Sequence, residues 1–382
     1  VAVGAAAVAA ALVVVLTTGS GSHRSTTPSP TKPATTTAPA QPPPSTEGFG
    51  ANVGRLFNDR AYSSAEISAQ LAALRRTGAT VARSDALWEA TEPAAPSGGT
   101  HHYDWSFDDS IAASLTEHDL RWLPIIDYSA PWAQSVVGRD HSPPAPISAY
   151  ADYAAALARR YGPGGSFWTS HPNLAPLPVG TYEIWNEPDN AAFWSPTPDA
   201  AAYANLYLRA RAAIDSVQPN ASVIIGGLTH PASFVPAMIA ANAGLAGHAD
   251  GVGVHPYGAT PTAVLDAVRT TRLKLDSLGM GTVPLYVTEF GWTTHPMGAL
   301  DWAPARDRPG YIARTLADLG HVDCGLADVL LYTWLTPERD QANAQDWFGI
   351  SPPGSGTTPD TVSFAQGLRA ASSPGTTIKL CG

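Results

Sequence analysis

Basic clusters are missing from this sequence. Its 22 Lys and Arg are scattered among 32 Asp and Glu, giving a formal net charge of −10 and a pI near 5.5. Without a Lys/Arg patch there is no electrostatic footprint for nucleic acid, and no such partner is expected. Cysteine is nearly missing too: Cys324 and Cys381 permit one disulfide at most. No G-x-G-x-x-G turn follows the first apolar run, which argues against a doubly wound dinucleotide-binding sheet. No G-x-S-x-G elbow and no phosphate-cradling glycine loop occurs. His101 and His102 have no His-x-His strand end to complete a ligand set, so neither a metal nor a cofactor is expected.

Charge is also absent from the first sixteen residues, VAVGAAAVAAALVVVL. They read as the apolar part of a secretion signal or a signal anchor (1–18), Thr17 and Thr18 bringing the run to about the lower limit for a membrane span. No clear A-x-A site follows, so cleaved and membrane-anchored forms both stay open. There is no starting Met and no basic segment, so the N-terminus reads as truncated. Residues 19–46 include HRSTTPSPTKPATTTAPAQPPP, a Ser/Thr/Pro linker that buries nothing and favours extended chain. The remainder, 47–382, is the folded domain. In a secreted or surface-anchored protein the two cysteines are expected to pair. That bond would tie the C-terminal tail to the segment before the last strand, a loop long enough for about 4 kcal/mol of stabilisation.

What the sequence does hold is 44% hydrophobic residues, enough for one core of roughly 250–300 residues. After Ser45, apolar runs alternate with amphipathic segments eight times. The expected strands are Phe49–Leu56, Ala79–Ser84, Leu120–Asp127, Val179–Trp185, Ser222–Gly226, Gly251–His255, Val283–Glu289 and Val329–Trp334. Between them lie helical periods: Ser64–Arg76, with Ile67, Leu71 and Leu74 on one face and a Ser63/Glu66 capping box, and Ala200–Val217, with Tyr203, Leu206, Tyr207, Ala210 and Ile214 on one stripe. Eight β-then-α units imply an α/β fold of the (β/α)8 TIM-barrel type. Its chemistry then belongs at the C-terminal strand ends.

Those ends carry an unusual set of residues. Strand four runs TYEIWNEPDN and leaves Glu187 where a buried strand stops; strand seven, LYVTEF, leaves Glu289. Two carboxylates on opposite sides of a barrel mouth can cut a glycosidic bond, one protonating the leaving oxygen and the other attacking the anomeric carbon. Asn186 can bond a sugar 2-hydroxyl. Arg83, in TVARSD, can hold Glu289 ionised, with the Tyr257 phenol of His255-Pro256-Tyr257 as a further donor; Arg83 with Asp85 also reads as a simple ion pair. Trp334, in Tyr332-Thr333-Trp334, suits the floor under a sugar. The 11 Trp and 13 Tyr supply flat faces for sugars, about half of them being accounted for by packing. The long segments Ser135–Pro146 and Gly162–Pro178 are expected to wall the cleft.

Among these strand ends, WNEP and TEFGW resemble the motifs of the clan A glycoside hydrolases. LWEATEP (Leu87–Pro93), YDWSFDD (Tyr103–Asp109), DYSAPWA at strand three and EIWNEPDNAAFW narrow the resemblance to family 39, with families 5 and 51 as near neighbours, over about residues 48–372. The resemblance implies a (β/α)8 barrel and a retaining mechanism with Glu187 as acid/base and Glu289 as nucleophile. It implies substrate contacts from Arg83, Asn186, His255, Tyr257 and Trp334, with Trp132 and Trp292 adding stacking surface. Such enzymes often carry a further β-rich domain, for which this chain has no room; the resemblance therefore favours a single-domain exopolysaccharide type over a xylosidase or iduronidase. The expected activity is hydrolysis of a β-linked poly- or oligosaccharide by a monomer. A transglycosylase built on the same residues, or a non-catalytic surface glycan-binding protein, is the alternative.

Overall fold

Eight short apolar runs become parallel strands because each is followed by a helix that returns the chain to the same end of the sheet. The computed structural model describes residues 48–296, 301–336 and 340–382. The strands are β1 (Gly48–Asn52), β2 (Val81–Leu87), β3 (Arg121–Asp127), β4 (Thr181–Ile184), β5 (Ser222–Leu228), β6 (Gly251–Val254), β7 (Leu285–Phe290) and β8 (Leu326–Leu331). They form a closed barrel in sequence order, β1 pairing with both β2 and β8. The main helices are α1 (Ser64–Arg76), α2 (Ser106–Glu117), α3 (Ile147–Tyr161), α4 (Ala200–Asp215), α5 (Pro231–Ala241), α6 (Pro261–Ser277), α7 (Arg308–Leu319) and α8 (Pro359–Ala371), one after each strand. This is the (β/α)8 barrel expected. The leader and linker, 1–46, lie outside the described residues, among which no helix is long and apolar enough to cross a membrane.

Local sequence explains the helices. Ser63 Oγ accepts from Glu66 N and Glu66 Oε2 accepts from Ser63 N, so the box at the start of α1 forms as anticipated. On α4, Tyr203, Leu206, Tyr207, Ala210 and Ile214 are buried, the stripe the periodicity marked.

Strand parity sorts the barrel interior into layers. Val81, Leu123 and Leu330 form a small apolar cluster of their own inside the barrel. Below it, Arg121 reaches Asp328 across the N-terminal mouth at 2.7 Å. Gly48 makes room for that pair, because a Cβ there would lie 2.2 Å from Asp328 Oδ1. Above the apolar layer the inward positions turn polar.

Three expectations need correction. Strand one is Gly48–Asn52 rather than Phe49–Leu56, since the chain turns after Val53 into a short helix, Arg55–Asn58, whose Leu56 is buried. Strand eight is Leu326–Leu331 rather than Val329–Trp334. A charged Asp328 breaks the apolar run in sequence, but Arg121 partners it inside the barrel, so the strand starts earlier and ends earlier. Gly162–Pro178 does not wall the cleft. It joins the end of α3 to the start of β4, at the N-terminal end of the barrel and away from the strand ends where a cleft forms.

Cys324 and Cys381 are joined by a disulfide with Cα atoms 5.2 Å apart. Asp323 accepts from the backbone N–H groups of Leu380 and Cys381, so the tail is docked by hydrogen bonds as well. Replacing both cysteines by alanine is expected to lower unfolding free energy by about 2–4 kcal/mol in urea titrations, because the denatured chain regains the freedom of a long loop.

Candidate active site

The site begins with the way β4 ends. Tyr182 and Ile184 are buried in the packing around the barrel, and Glu183 between them points inward. Beyond Ile184 the backbone turns sharply: Trp185 has φ 67° and Glu187 φ 46°, the left-handed region that non-glycine residues enter at a cost of about 1–3 kcal/mol each. Bonds on every side hold this turn. Trp185 N donates to Ile126 O and Glu187 N to Gly227 O, both at 3.1 Å, while Trp185 Nε1 donates to Phe193 O at 2.7 Å. Two glycines on β5 permit the approach. A Cβ on Gly226 would lie 2.0 Å from Trp185 O, and one on Gly227 would lie 1.9 Å from the His255 ring.

Arg83 organises the polar layer of the barrel. Its inward position on β2 places a fully buried guanidinium above Val81, and all five N–H donors are used. Nε and Nη2 grip Glu183 at 2.6 and 3.1 Å; Nη1 donates to Asn52 Oδ1 at 2.7 Å and Glu289 Oε1 at 2.6 Å; Nη2 also reaches Asn186 Oδ1 at 2.9 Å. Burial alone would lower the guanidinium's pKa, but Glu183 and Glu289 outweigh it and raise it, so the charge is permanent. Asn52 is itself fixed, donating to the carbonyls of Thr288 and Leu331.

The hydrogen bonds continue to the second carboxylate. Tyr257 donates to Glu289 Oε2 at 2.6 Å; burial first, then Glu289 beside it, push the phenol far above its ordinary pKa and keep it a donor. His255 Nδ1 lies 2.8 Å from Glu187 Oε1 and 3.6 Å from Glu289 Oε2, and its Nε2 lies 3.1 Å from Thr288 Oγ1. Thr288 in turn donates to Glu183 Oε1 at 3.2 Å. Burial would lower the His255 pKa, yet Glu289 and the Glu187 hydrogen bond outweigh it and raise it above 6.5. For Glu187, burial pushes up, but the His255 hydrogen bond and charge, with Asn190 and Arg83, hold the carboxyl below 4.5. Asn190 Nδ2 donates to Glu187 Oε2 at 2.7 Å.

These groups face a cleft of about 490 Å³ at the C-terminal mouth, lined among others by Asn52, Arg83, Asp85, Tyr128, Asn186, Glu187, Phe193, Tyr257, Glu289, Asp301 and Tyr332. Glu187, Glu289, Arg83, Asn186, His255 and Tyr257 are thus brought together. Glu187, His255 and Glu289 offer ligand atoms within 4.8 Å of one another, spacing a cation could bridge, but the guanidinium on Glu289 already supplies positive charge there. Asp85 is not the ion-pair partner of Arg83, whose donors all go elsewhere.

The three tryptophans expected in the cleft lie outside it. Trp334 is buried, donating to Gln70 Oε1 and packed near Phe364 behind the barrel wall. Because β8 ends at Leu331, Tyr332 rather than Trp334 is the ring that leaves the strand into the cleft. Trp292 is buried with its indole N–H on Gly258 O. Trp132 donates to Glu92 O and packs edge-on against Trp88. Sequence reading passed over Glu183, Asn52, Asn190, Tyr128 and Tyr332. A signal for Glu183 existed: it occupies an inward strand position, as Arg83 does, and a buried guanidinium needs carboxylates.

Comparison of the sequence with protein-family models and with curated proteins gives no match. Among solved structures the fold resembles that of family 39 glycoside hydrolases. One is a family 39 glycoside hydrolase from Bacteroides cellulosilyticus WH2 (TM-score 0.61, 19% identity, covering 84% of this chain and 63% of that one). Others are a monomeric β-xylosidase from Caulobacter crescentus CB15 (0.62, 19%, 85% and 68%) and a family 39 enzyme from Xanthomonas axonopodis pv. citri (0.63, 18%, 84% and 65%). The chain thus spans about two thirds of the length of these proteins, and at such identities the likeness is one of fold.

Arg83→Met leaves Glu183 and Glu289 buried without their cation and is expected to cost about 3–5 kcal/mol in chemical denaturation. The His255–Glu187 pair makes stability depend on pH from both sides. The raised His255 pKa contributes stability that is complete below 6.5 and lost as pH rises through the folded value; the lowered Glu187 pKa contributes stability present above 4.5 and lost as pH falls through the folded value. The stability gap between wild type and His255→Asn should therefore be widest between those two pH values and close on either side. A gap that is flat across unfolding curves from about pH 4 to 9 contradicts the pairing.

Proposed function

We propose that the chain is a retaining glycoside hydrolase acting on a β-linked oligo- or polysaccharide. The observation that carries this reading is the closeness of the two cleft carboxylates, with oxygens within 4.8 Å of each other. Carboxyl pairs about 5–5.5 Å apart suit attack by one carboxylate on the anomeric carbon, whereas pairs about 6.5–9.5 Å apart leave room for a water between. In this reading Glu289 is the nucleophile. Arg83 Nη1 and the Tyr257 hydroxyl each hold one of its oxygens, which aims the carboxylate and keeps it from rotating.

Glu187 is the acid/base. In this reading the proton it will deliver is shared with His255 Nδ1, 2.8 Å away, the histidine being raised chiefly by Glu289 and the Glu187 hydrogen bond and the glutamate lowered by the histidine. A glycan covering the carboxylate deepens its burial, the influence that already pushes it up most, and draws that proton onto Oε1 for delivery to the glycosidic oxygen. As Glu289 bonds to the sugar the proton leaves Glu187, which can then deprotonate the water that releases the product. Asn186, with Oδ1 taken by Arg83 and its amide also bonded to the Tyr128 phenol, faces the cleft where it can meet a sugar hydroxyl. We further infer an extracytoplasmic location, supported by the Cys324–Cys381 disulfide, a bond that persists in oxidising compartments.

Hydrolysis of a panel of aryl β-glycosides and cell-wall or exopolysaccharide glycans tests the reading. Glu289→Ala should lose about 10⁴-fold or more in kcat, and azide should restore turnover with a glycosyl azide of inverted configuration. Glu187→Gln should lose much less on substrates with activated aryl leaving groups, which need no protonation. Undiminished activity in Glu289→Ala would sink the assignment.

A further inference from the structure

The cleft holds an acidic residue that the proposed reaction does not use. Asp85 lies two residues beyond Arg83 on β2, on the same inward face, and lines the cleft. None of the Arg83 donors reaches it; Asn58 Nδ2 donates to its Oδ2 at 2.5 Å. Behind it, at the end of the neighbouring strand β3, Asp127 is fully buried and neither of its carboxyl oxygens meets a donor. Burial first, then Asp85 beside it, push Asp127 well above the ordinary carboxyl range.

Charge around the cleft is one-sided. Asp85, Glu187, Glu289 and Asp301 line it against Arg55 and Arg83. Arg83 has no donor to spare, and Arg55 is balanced by Asp59 at 2.8 Å and Asp346 at 3.4 Å. Among the described residues, the arginines lining the cleft are thus each already paired with carboxylates. A carboxylate-bearing sugar entering here meets a lining with more acidic than basic side chains, whereas a sugar hydroxyl finds in the Asp85 carboxylate a hydrogen-bond acceptor of the stronger, charge-assisted kind.

We propose that Asp85 is a specificity residue: it accepts hydrogen bonds from ring hydroxyls of a glycosyl unit that carries no carboxylate, and the cleft rejects uronic-acid units. This rests on the hydrolase reading and narrows its substrate class. Asp127 acts only through Asp85, as a positioning residue.

The test uses the full chain with Asp85→Ala and Asp85→Asn, melting curves confirming that each variant folds. Aryl glycosides are compared in matched neutral and uronide pairs, together with deoxy analogues of the preferred neutral sugar, and binding of neutral oligosaccharides is measured by calorimetry. Wild type should favour the neutral member by about 10²-fold or more in kcat/KM. Asp85→Ala should lose about 10²-fold on it, yet little on the deoxy analogue lacking the contacted hydroxyl. Asp85→Asn should narrow the neutral-to-uronide ratio. Equal or better turnover of uronides, or an Asp85→Ala variant as active as wild type, overturns the inference and leaves the hydrolase reading standing. Absence of all turnover, with neutral oligosaccharides still bound in an Asp85-dependent way, overturns the hydrolase reading and supports only the hydroxyl contact to Asp85. Neither turnover nor binding overturns both.

Discussion

A single guanidinium with every donor satisfied is the constraint on which the cleft depends. Arg83 sits where the barrel interior changes from apolar to polar, and a charge there is tolerable only if carboxylates and amide oxygens surround it. Glu183 supplies the two-point grip, and Asn52, Asn186 and Glu289 take the remaining donors. Four strands are thereby tied to one planar group, since Arg83 itself stands on β2, Asn52 comes from β1, Glu183 and Asn186 from β4 and its end, and Glu289 from β7. Planarity matters: a guanidinium presents its donors in fixed directions, so its partners are fixed in position as well as in charge.

From that centre the hydrogen bonds run in two branches, one to each cleft carboxylate. Glu183 accepts from Thr288, Thr288 meets His255, His255 meets Glu187, and Glu289 is held between Arg83 and Tyr257. These branches explain why three buried carboxyl groups coexist in so small a volume. The Arg83 guanidinium, with His255 beside Glu187, offsets most of the charge, and neutral donors cap the remaining oxygens. Backbone strain at Trp185 and Glu187 belongs to the same design, because it turns Glu187 toward the cleft and is stabilised by close packing against Gly226 and Gly227.

Much of this could be read in the amino-acid order. Strand and helix periods located eight βα units, and strand ends located Arg83, Asn186, Glu187, His255, Tyr257 and Glu289, because a polar residue closing an apolar run stands out. Glu183 did not stand out, since a charged residue inside a strand looks like an outward-facing position until its parity is matched with that of Arg83. The tryptophans misled for a related reason. Indole suits both a sugar face and a barrel wall, and composition cannot say which. For Trp334 the register of β8 decides, and that register depends on Asp328 finding Arg121 across the barrel mouth, a contact 207 residues apart in sequence.

By itself, then, the sequence determined the alternation of strands and helices, the closed (β/α)8 arrangement that alternation demands, and the identity of the residues at the strand ends, because periodicity and the rule that active residues sit at the C-terminal mouth are local and topological. Only the tertiary structure decided which side chains share a donor, which ring faces the cleft, that His255 meets Glu187, and that Asp85 stands unpaired by Arg83. Those are matters of distances between strands remote in the chain, and the electrostatics of buried groups depends on such distances and not on their order along the polypeptide.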